Sequence, residues 1–339
     1  MRFNIKKVTA CVCSLSMIAA AVTQNTGGEF NIFDEQKVFA FVDESGIKYN
    51  ELNDGTLEIV EYNGEDSVLV IPDEIDGKRV ISIGNYAFSG CGEITEIILP
   101  EGLTGIGEGA FDQCSGITEI TIPEGVTSIE DSIFYDCSGL TEITLPGGIK
   151  SIGDYAFSGC SELTKITLPE GLTSIGEGSF FECSGITEMT LPEGLTSIGE
   201  GSFMGCSGIT EIILPKGLTS IPYAAFSGCS GLTEITIPES VTSINFAAFD
   251  YVSSELKICG TEGSYAQKYA VNNNLKFEIL SVTGDVDGNG IVSLADFIKL
   301  VEHMINPEVN INHNGSDMNS DGKIDSTDVI ELKKFFLGC

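Results

Sequence analysis

The chain has 339 residues, of which 17 are Lys or Arg and 50 are Asp or Glu, so its formal net charge is −33. This charge excludes a general nucleic-acid binder, because the phosphate backbone needs a basic surface, and it disfavours docking to anionic lipid. Two interpretations of the carboxylates remain: a solvated acidic surface, or a site for hard cations such as calcium. Both histidines, His303 and His313, lie near the C-terminus, so histidine-based catalysis is excluded upstream of them.

The N-terminus has the composition of an export signal. Residues 1–7 contain Arg2, Lys6 and Lys7 and no acid, and an apolar run from Val8 follows. This run is shorter than the roughly 20 residues of a membrane-spanning helix, and it ends in small residues typical of signal-peptide cleavage. We therefore expect residues 1–21 to be a signal peptide, residues 22–37 to be a linker, and the mature protein to be secreted without membrane insertion.

A period of 23 residues runs through most of the chain. Four residue types recur on this step: Phe from Phe88 to Phe249, Ile from Ile83 to Ile244, Cys from Cys91 to Cys229, and Pro from Pro100 to Pro238. In the unit of residues 114–136, the alternation from Glu119 to Ile122 predicts a half-buried strand that Pro123 ends, because proline cannot donate to the ladder. One unit cannot bury its own apolar face, so we expect the units to stack as a solenoid.

These units resemble the bacterial leucine-rich repeats of 23 residues found in secreted surface antigens and adhesins. The motif Ala87-Phe88-Ser89-Gly90-Cys91, repeated at residues 156–160, carries the resemblance. It implies a β-rich leucine-rich-repeat solenoid of about eight coils with terminal caps over residues 38–281. We expect residues 49–80 to be a degenerate entry segment and residues 260–277 to cap the far end with a short helix.

The seven repeated cysteines have two interpretations. One interpretation is a series of disulfides or metal ligands, and the other is a column of small buried side chains. Seven is an odd number, and the repeat has no Cys-x-x-Cys or Cys/His cluster to bind a metal. The sequence therefore favours buried free thiols.

The outward positions of the repeat are mostly monotonous. A Glu recurs in six of the seven predicted strands, with Lys165 in the other, which fits a solvated face better than a cation-binding row. The position after each Phe varies more, and Tyr135, Phe181 and Met204 occupy it in three coils. These three side chains are candidates for a contact patch with a partner, or they are partly buried in the turn.

Two segments near the C-terminus match calcium loops of the EF-hand type. Each has ligand positions 1, 3, 5, 9 and 12 and a backbone carbonyl at position 7, namely Asp285, Asp287, Asn289, Ser293, Asp296 and Ile291 in the first, and Asp317, Asn319, Asp321, Asp325, Asp328 and Lys323 in the second. Calcium takes six to eight oxygen ligands, and Gly290 or Gly322 at position 6 permits the sharp turn. Two such loops in series predict two bound calcium ions.

Each loop is followed by one predicted helix, over residues 297–305 and 329–337, and no helix precedes either loop. Loop-helix halves with Asp at position 12 resemble type I dockerins over residues 284–339. The resemblance implies a small α-helical, calcium-binding dockerin domain that binds the cohesin domain of a scaffoldin in a cellulosome. The implied contact residues are Ser326, Thr327, Lys333 and Lys334 in the second half, which we expect to dominate, and Leu294, Ala295, Val301 and Glu302 in the first.

Repeats and caps leave no room for a catalytic fold with a pair of carboxylates across a cleft. We therefore expect a non-catalytic extracellular cellulosome component, associated with polysaccharide-degrading enzymes, whose solenoid recognises a protein or cell-surface ligand. Three alternatives stay open: an adhesin that holds the complex to substrate or cells, a spacer, and an accessory protein of polysaccharide degradation with weak hydrolase activity.

Overall fold

The computed structural model describes residues 41–42, 46–280, 286, 292, 294–319 and 322–337. The predicted signal peptide and linker lie outside these residues. Six predicted calcium ligands also lie outside them, namely Asp285, Asp287, Asn289, Ile291, Ser293 and Asp321. No helix within the described ranges is long and apolar enough to cross a membrane.

Short strands recur from residue 41 to residue 279, and three of the four described helices follow the last strand. The strands are β1 (Phe41–Val42), β2 (Ile47–Glu51), β3 (Leu57–Tyr62), β4 (Val68–Val70), β5 (Glu74–Ile75), β6 (Lys78–Ile83), β7 (Glu96–Ile98), β8 (Gly105–Ile106), β9 (Glu119–Thr121), β10 (Glu142–Thr144), β11 (Ser151–Ile152), β12 (Lys165–Ile166), β13 (Ser174–Ile175), β14 (Ser197–Ile198), β15 (Glu211–Ile213), β16 (Ser220–Ile221), β17 (Glu234–Thr236), β18 (Ser243–Ile244), β19 (Lys257–Gly260) and β20 (Lys276–Ile279). The helices are α1 (Tyr265–Asn272), α2 (Leu294–Ile305), α3 (His313–Ser316) and α4 (Ser326–Leu337).

The repeats form a β-solenoid of about 10 turns, which confirms the predicted fold class. Equivalent strands of successive coils pair in parallel and in register, so Ile120 of β9 lies opposite Ile143 of β10. Five strands join in the order β12-β10-β9-β7-β4, and β15-β17-β19-β20 continue the same row nearer the C-terminus. Residues 188–190 between them form no strand, and there Met189 replaces the β-branched Ile that favours strands in the neighbouring coils.

A second row of strands was not predicted. It begins at β6, which pairs with β8, and continues in two-residue strands such as β11, β13 and β14, which pair in parallel through Ser151, Ser174 and Ser197. A strand of two residues has no alternation to read. The sequence therefore indicated only that Ile152 and its equivalents point inward.

Both ends of the solenoid differ from its coils. At the N-terminal end β1, β2 and β3 pair antiparallel, and β3 then pairs in parallel with β6. The segment predicted only as degenerate thus contains a β-hairpin. At the far end α1 follows β19, and the side chain of Ser264 caps this helix by accepting from the backbone N–H of Gln267, as expected for a terminal helix.

A column of phenylalanine rings runs along the solenoid core. Successive rings from Phe88 to Phe249 are stacked with centroids 5.3–5.6 Å apart and planes within 2–14° of parallel. Tyr62 and Tyr269 end the column with tilted or edge-on rings. Each tyrosine hydroxyl reaches a polar partner, Asp66 or the carbonyl of Phe246. A tyrosine at each end lets the ring stay buried while its hydroxyl is hydrogen-bonded.

The C-terminal helices pack around a small core of their own. Val286, Leu300, Ile311 and Leu332 are buried there, Leu300 on α2 and Leu332 on α4. Both main helices begin three residues earlier than predicted, at Leu294 and Ser326 rather than at residues 297 and 329. The predicted boundaries were wrong because loop positions 10–12 already form the first helical turn.

Candidate calcium and partner-binding sites

The second predicted calcium loop is closed by the carboxylate at position 12. Asp328 is fully buried, and its Oδ1 accepts from the backbone N–H of Met318 at 2.8 Å and of Asn319 at 3.4 Å. Its Oδ2 accepts from the backbone N–H of Asp325 at 2.7 Å. One side chain therefore joins the beginning of the loop to its end.

Asp325 and Asp328 also form the start of α4. The carboxylate of Asp325 accepts from the backbone N–H of Thr327 at 2.8 Å and from its hydroxyl at 2.7 Å. Asp328 reaches back to the backbone N–H of Asp325, so the pair is a reciprocal capping box with Asp in place of the usual Glu. Hydrogen bonds from Thr327, together with the charge of Lys323, lower the pKa of the Asp325 carboxyl. The same four-residue pattern, Ser293 to Asp296, precedes the body of α2.

The first loop has the same closure where it is described. Asp296 is fully buried, and its Oδ1 accepts from the backbone N–H of Val286 at 2.8 Å. Val286 and Met318 both occupy loop position 2, and Asp296 and Asp328 both occupy position 12. The described parts of the two loops therefore share the hydrogen bond between position 2 and position 12.

Two further ligand candidates of the second loop, Asp317 and Asn319, form hydrogen bonds to residues of the same loop. Asp317 accepts from the backbone N–H of Gly322 at 2.8 Å, and Gly322 has φ of +80°, which favours glycine at loop position 6. Asn319 donates to the hydroxyl of Thr327 at 2.8 Å. Among the described residues no group of three His, Cys, Asp or Glu side chains has metal-holding geometry. The donor set is nevertheless all oxygen, and two fully buried carboxylates among apolar side chains fit a bound cation.

The predicted cohesin contacts lie on α2 and α4. Ser326, Thr327, Lys333 and Lys334 are exposed on α4, and Lys334 forms an ion pair with Glu331 at 2.6 Å. On α2, Leu294, Ala295 and Glu302 are exposed and Val301 is half-buried. All eight residues are thus at or near the surface.

The predicted contact set included only two residues of an apolar face of α2, Leu294 and Val301, and missed Ile298 and Ile305. Leu294, Ile298 and Ile305 are 65%, 50% and 80% exposed, and with Val301 they have the i, i+4, i+7, i+11 spacing of one helix face. The opposite side carries the buried Leu300. The apolar periodicity was readable in the sequence. Which apolar face lies in the small core was decided only by the packing.

The three candidate contact residues of the solenoid line one depression. Tyr135, Phe181 and Met204 contribute to a cavity of about 280 Å³, together with Tyr155 and Tyr223. Tyr135 and Phe181 are half-buried and Met204 is 36% exposed, so the three side chains are partly buried in the turn, and the partner contact stays a prediction. The tyrosines at 155 and 223 were missed because they precede the repeated Phe instead of following it.

The repeated cysteines are free thiols. From Cys114 to Cys229 each Sγ donates to the backbone carbonyl of the Phe in the preceding coil, at 3.0–3.2 Å. Burial raises the pKa of these thiols, to about 12 for Cys229. The column thus contributes hydrogen bonds between coils as well as small apolar volume.

The geometry defines a leucine-rich-repeat solenoid followed by a paired loop-helix domain, and family comparisons agree. The model described as BspA type Leucine rich repeat region matches six copies over residues 73–162 and 134–257, so the chain belongs to this family. The model described as Dockerin type I domain matches residues 283–337. Both resemblances recognised in the sequence are thereby confirmed. No curated protein matches the chain significantly.

Several solved structures are similar to the chain. A leucine-rich repeat protein of T. pallidum is 23% identical, with 70% of this chain and 97% of that one covered and a TM-score of 0.47. One from Bacteroides ovatus is 26% identical, with 71% and 76% covered and a TM-score of 0.43. The pneumococcal vaccine antigen PcpA is 14% identical, with 72% and 99% covered and a TM-score of 0.43.

The two families have general functional implications. A type I dockerin domain implies cohesin binding in a cellulosome-type assembly, and such domains are known calcium binders. A leucine-rich-repeat solenoid suggests protein recognition. Both modules are non-catalytic and typical of extracellular bacterial proteins, and no catalytic domain was matched.

Proposed function

We propose that this protein is a secreted, non-catalytic cellulosome component. Its dockerin domain binds a scaffoldin cohesin in a calcium-dependent manner, and its solenoid recognises a protein or cell-surface ligand. The observation that carries the proposal is the repeated loop closure, in which buried Asp296 and Asp328 each accept the amide of loop position 2. Export through residues 1–21 and a dockerin spanning residues 284–339 belong to the same proposal.

Two calcium ions are proposed, one for each loop. The first would be held by Asp285, Asp287, Asn289, Ser293, Asp296 and the carbonyl of Ile291. The second would be held by Asp317, Asn319, Asp321, Asp325, Asp328 and the carbonyl of Lys323. Bound calcium supplies positive charge that offsets the burial of the two position-12 carboxylates. The chain itself orients those carboxylates through backbone amides.

The cohesin surface is proposed to be dominated by the second half. Ser326 and Thr327 at the start of α4 and Lys333 and Lys334 two turns later present hydroxyls and positive charge. The corresponding face of α2 is apolar apart from Glu302. Because the two faces differ in chemistry, we propose one dominant binding orientation.

Calorimetric titration of a cohesin with the full chain tests this proposal. Alanine at Ser326, Thr327, Lys333 and Lys334 should weaken binding by at least about 100-fold, since truncated contacts at an interface centre cost about 1 kcal/mol or more each. Excess chelator should abolish binding of the unmodified chain. The matched variant carries Leu294→Ser and Val301→Ser on α2 and should bind within a few-fold of wild type. Loss of binding in the α2 variant alone would show that the first half, and not the second, dominates cohesin binding.

The solenoid contact is proposed at the depression formed by Tyr135, Phe181 and Met204. An apolar side-chain cluster open to solvent is a common feature of partner sites. The replacement of Phe181 and Met204 by Ser should reduce capture of cell-surface or scaffold proteins by the full chain, measured by surface plasmon resonance against fractionated partners. The control replaces Val271, which is 67% exposed on α1 outside this cavity, by Ser. Equal capture by both variants would contradict a contact at this depression.

The adhesin is the second candidate function. Membership of the BspA-type repeat family favours it, because the resemblance that identified these repeats includes secreted adhesins. Retention of the full chain on intact cells, compared with retention on plant polysaccharide, distinguishes an adhesin for cells from one for substrate fibres.

A further inference from the structure

One cavity of the described chain lies on the outward strand face near the N-terminal end of the solenoid. It has a volume of about 870 Å³ and is lined mainly by β7, β9, β10 and the segments that follow them. Because the strands of this face are in register, Glu96, Glu119 and Glu142 lie side by side in one row. Neighbouring strands are about 4.8 Å apart, so the three carboxylates repeat at that spacing.

The charges of this cavity are unbalanced. Five carboxylates line the cavity, namely Glu96, Glu101, Glu119, Glu124 and Glu142. All of its lining residues are described, and none of them is Lys or Arg. Lys165 on the next strand pairs with Glu142 at 2.7 Å. Nearer the C-terminus Lys257 likewise pairs with Glu234 and Glu278, both at 2.8 Å. Like charges side by side across strands are destabilising, so a cationic ligand has more to gain on Glu96 and Glu119 than on Glu142 or Glu234, which already pair with a lysine.

The same end of the face exposes aliphatic side chains. Val68 and Val70 on β4 are 51% and 57% exposed, and Ile98 on β7 is 48% exposed. The pairing of β4 with β7 places Val70 directly opposite Ile98. Most of the equivalent positions farther along hold Thr, as at Thr121 and Thr144. The aliphatic patch of Val68, Val70 and Ile98 therefore lies beside the carboxylate row only at this end. Farther along, Ile213 is a single aliphatic residue at an equivalent position.

We propose that this face binds an extended basic segment of a protein partner, with Lys or Arg side chains on the Glu96–Glu119–Glu142 row and an apolar side chain on Val70 and Ile98. The inference deepens the protein-recognition role proposed above and rests on it. A metal ion or a polyamine would match the carboxylates but leave the aliphatic side chains uncovered. A basic peptide segment carries both kinds of group, and the long stems of Lys and Arg pack on apolar surface while their charges reach carboxylates.

The repeat supplies a charge-matched test. The probe is a short labelled peptide that alternates lysine and threonine around a central leucine, titrated into the full chain and followed by fluorescence anisotropy. The test variant carries Glu96→Gln, Glu119→Gln and Glu124→Gln. The control carries Glu188→Gln, Glu193→Gln and Glu211→Gln, which are equivalent repeat positions outside the cavity and change the net charge equally. We expect affinity to fall roughly tenfold in the test variant and less than twofold in the control. Equal losses would mean attraction by overall charge and would overturn the proposal.

The aliphatic part is tested in the same way. Ile98→Ser should weaken the probe several-fold, whereas Ile213→Ser, at the same repeat position and 58% exposed, should not. Identical behaviour of the two variants would overturn the proposed apolar contact. Binding of a partner that is lost with Phe181→Ser and Met204→Ser but unchanged in both glutamine variants would overturn the proposed basic-segment site. The proposed role in protein recognition would still stand. If neither set of variants changed the binding of any protein, the recognition role itself would fail.

Discussion

At the scale of single residues, side chains that repeat in the sequence make the same contact in each coil. Each buried thiol from Cys114 to Cys229 donates to a carbonyl of the coil before it. Several threonine hydroxyls do the same on the solvent side, for example Thr141 to the carbonyl of Thr118 at 2.9 Å. The odd number of cysteines argued against a fully paired column. It did not reveal that the thiols would serve as hydrogen-bond donors between coils.

The thiol column predicts a fall in stability at alkaline pH. Burial raises the pKa of Cys160, Cys183 and Cys206 in the folded state above the value of an unfolded thiol. Their contribution is therefore fully present below the unfolded pKa and is lost as pH rises toward the folded one. Each thiol should lower the unfolding free energy by about 1.4 kcal/mol per pH unit above about pH 9.

Urea unfolding between about pH 8 and 10.5 measures this slope. A triple Ala variant of these three cysteines should be less stable at pH 8 but show a flatter decline. Parallel pH profiles for the two proteins would rule out the thiols as the cause.

At the scale of elements, the coil repeats because each part of it stacks on its equivalent. The parallel strand rows and the phenylalanine column have the same repeat and support each other. A side chain in the column loses contacts on both sides when it is truncated. A side chain of the same type on the outer turn loses almost none.

Phe157→Ala should therefore lower the unfolding free energy by about 3–5 kcal/mol, as expected for a fully buried Phe. Phe246→Ala is the matched control, because Phe246 is 79% exposed, and its effect should stay within about 0.5 kcal/mol. Chemical denaturation followed by circular dichroism gives both values. A similar loss for the two variants would contradict the stacking argument.

At the scale of the whole molecule, the solenoid and the dockerin region have separate buried clusters. The solenoid cluster extends from Ile47 to Ala270, whereas Val286, Leu300, Ile311 and Leu332 form the other. The smaller one has few apolar side chains, so we expect bound calcium to supply part of its folding free energy. The larger one contains stacked aromatic and aliphatic residues in every coil.

Removal of calcium should therefore affect one thermal transition only. Scanning calorimetry of the full chain with excess chelator should shift the dockerin transition down by about 20 °C or abolish it, while the solenoid transition stays within about 2 °C. Asp328→Asn should reproduce the loss in the presence of calcium, and Glu331→Gln on the same helix should not. A chelator effect on both transitions, or on neither, would contradict this assignment.

The sequence by itself determined the repeat period, the inward side chains and the family of each region, and it predicted where the calcium loops lie. Period and spacing are local properties, so Phe88 or Asp328 could be assigned without coordinates. The start of α4 was also predictable, since Asp325 and Asp328 have the spacing of a capping box. The same residues match the calcium-loop pattern, and the helix was therefore predicted to begin only after the loop.

Only the tertiary structure decided how distant parts meet. It formed the N-terminal hairpin and the second strand row, brought Tyr135, Phe181 and Met204 to one depression, and placed Val70 opposite Ile98 beside the carboxylate row. These outcomes depend on pairing between residues far apart in sequence, and the free energy of such pairing comes from packing rather than from local preference.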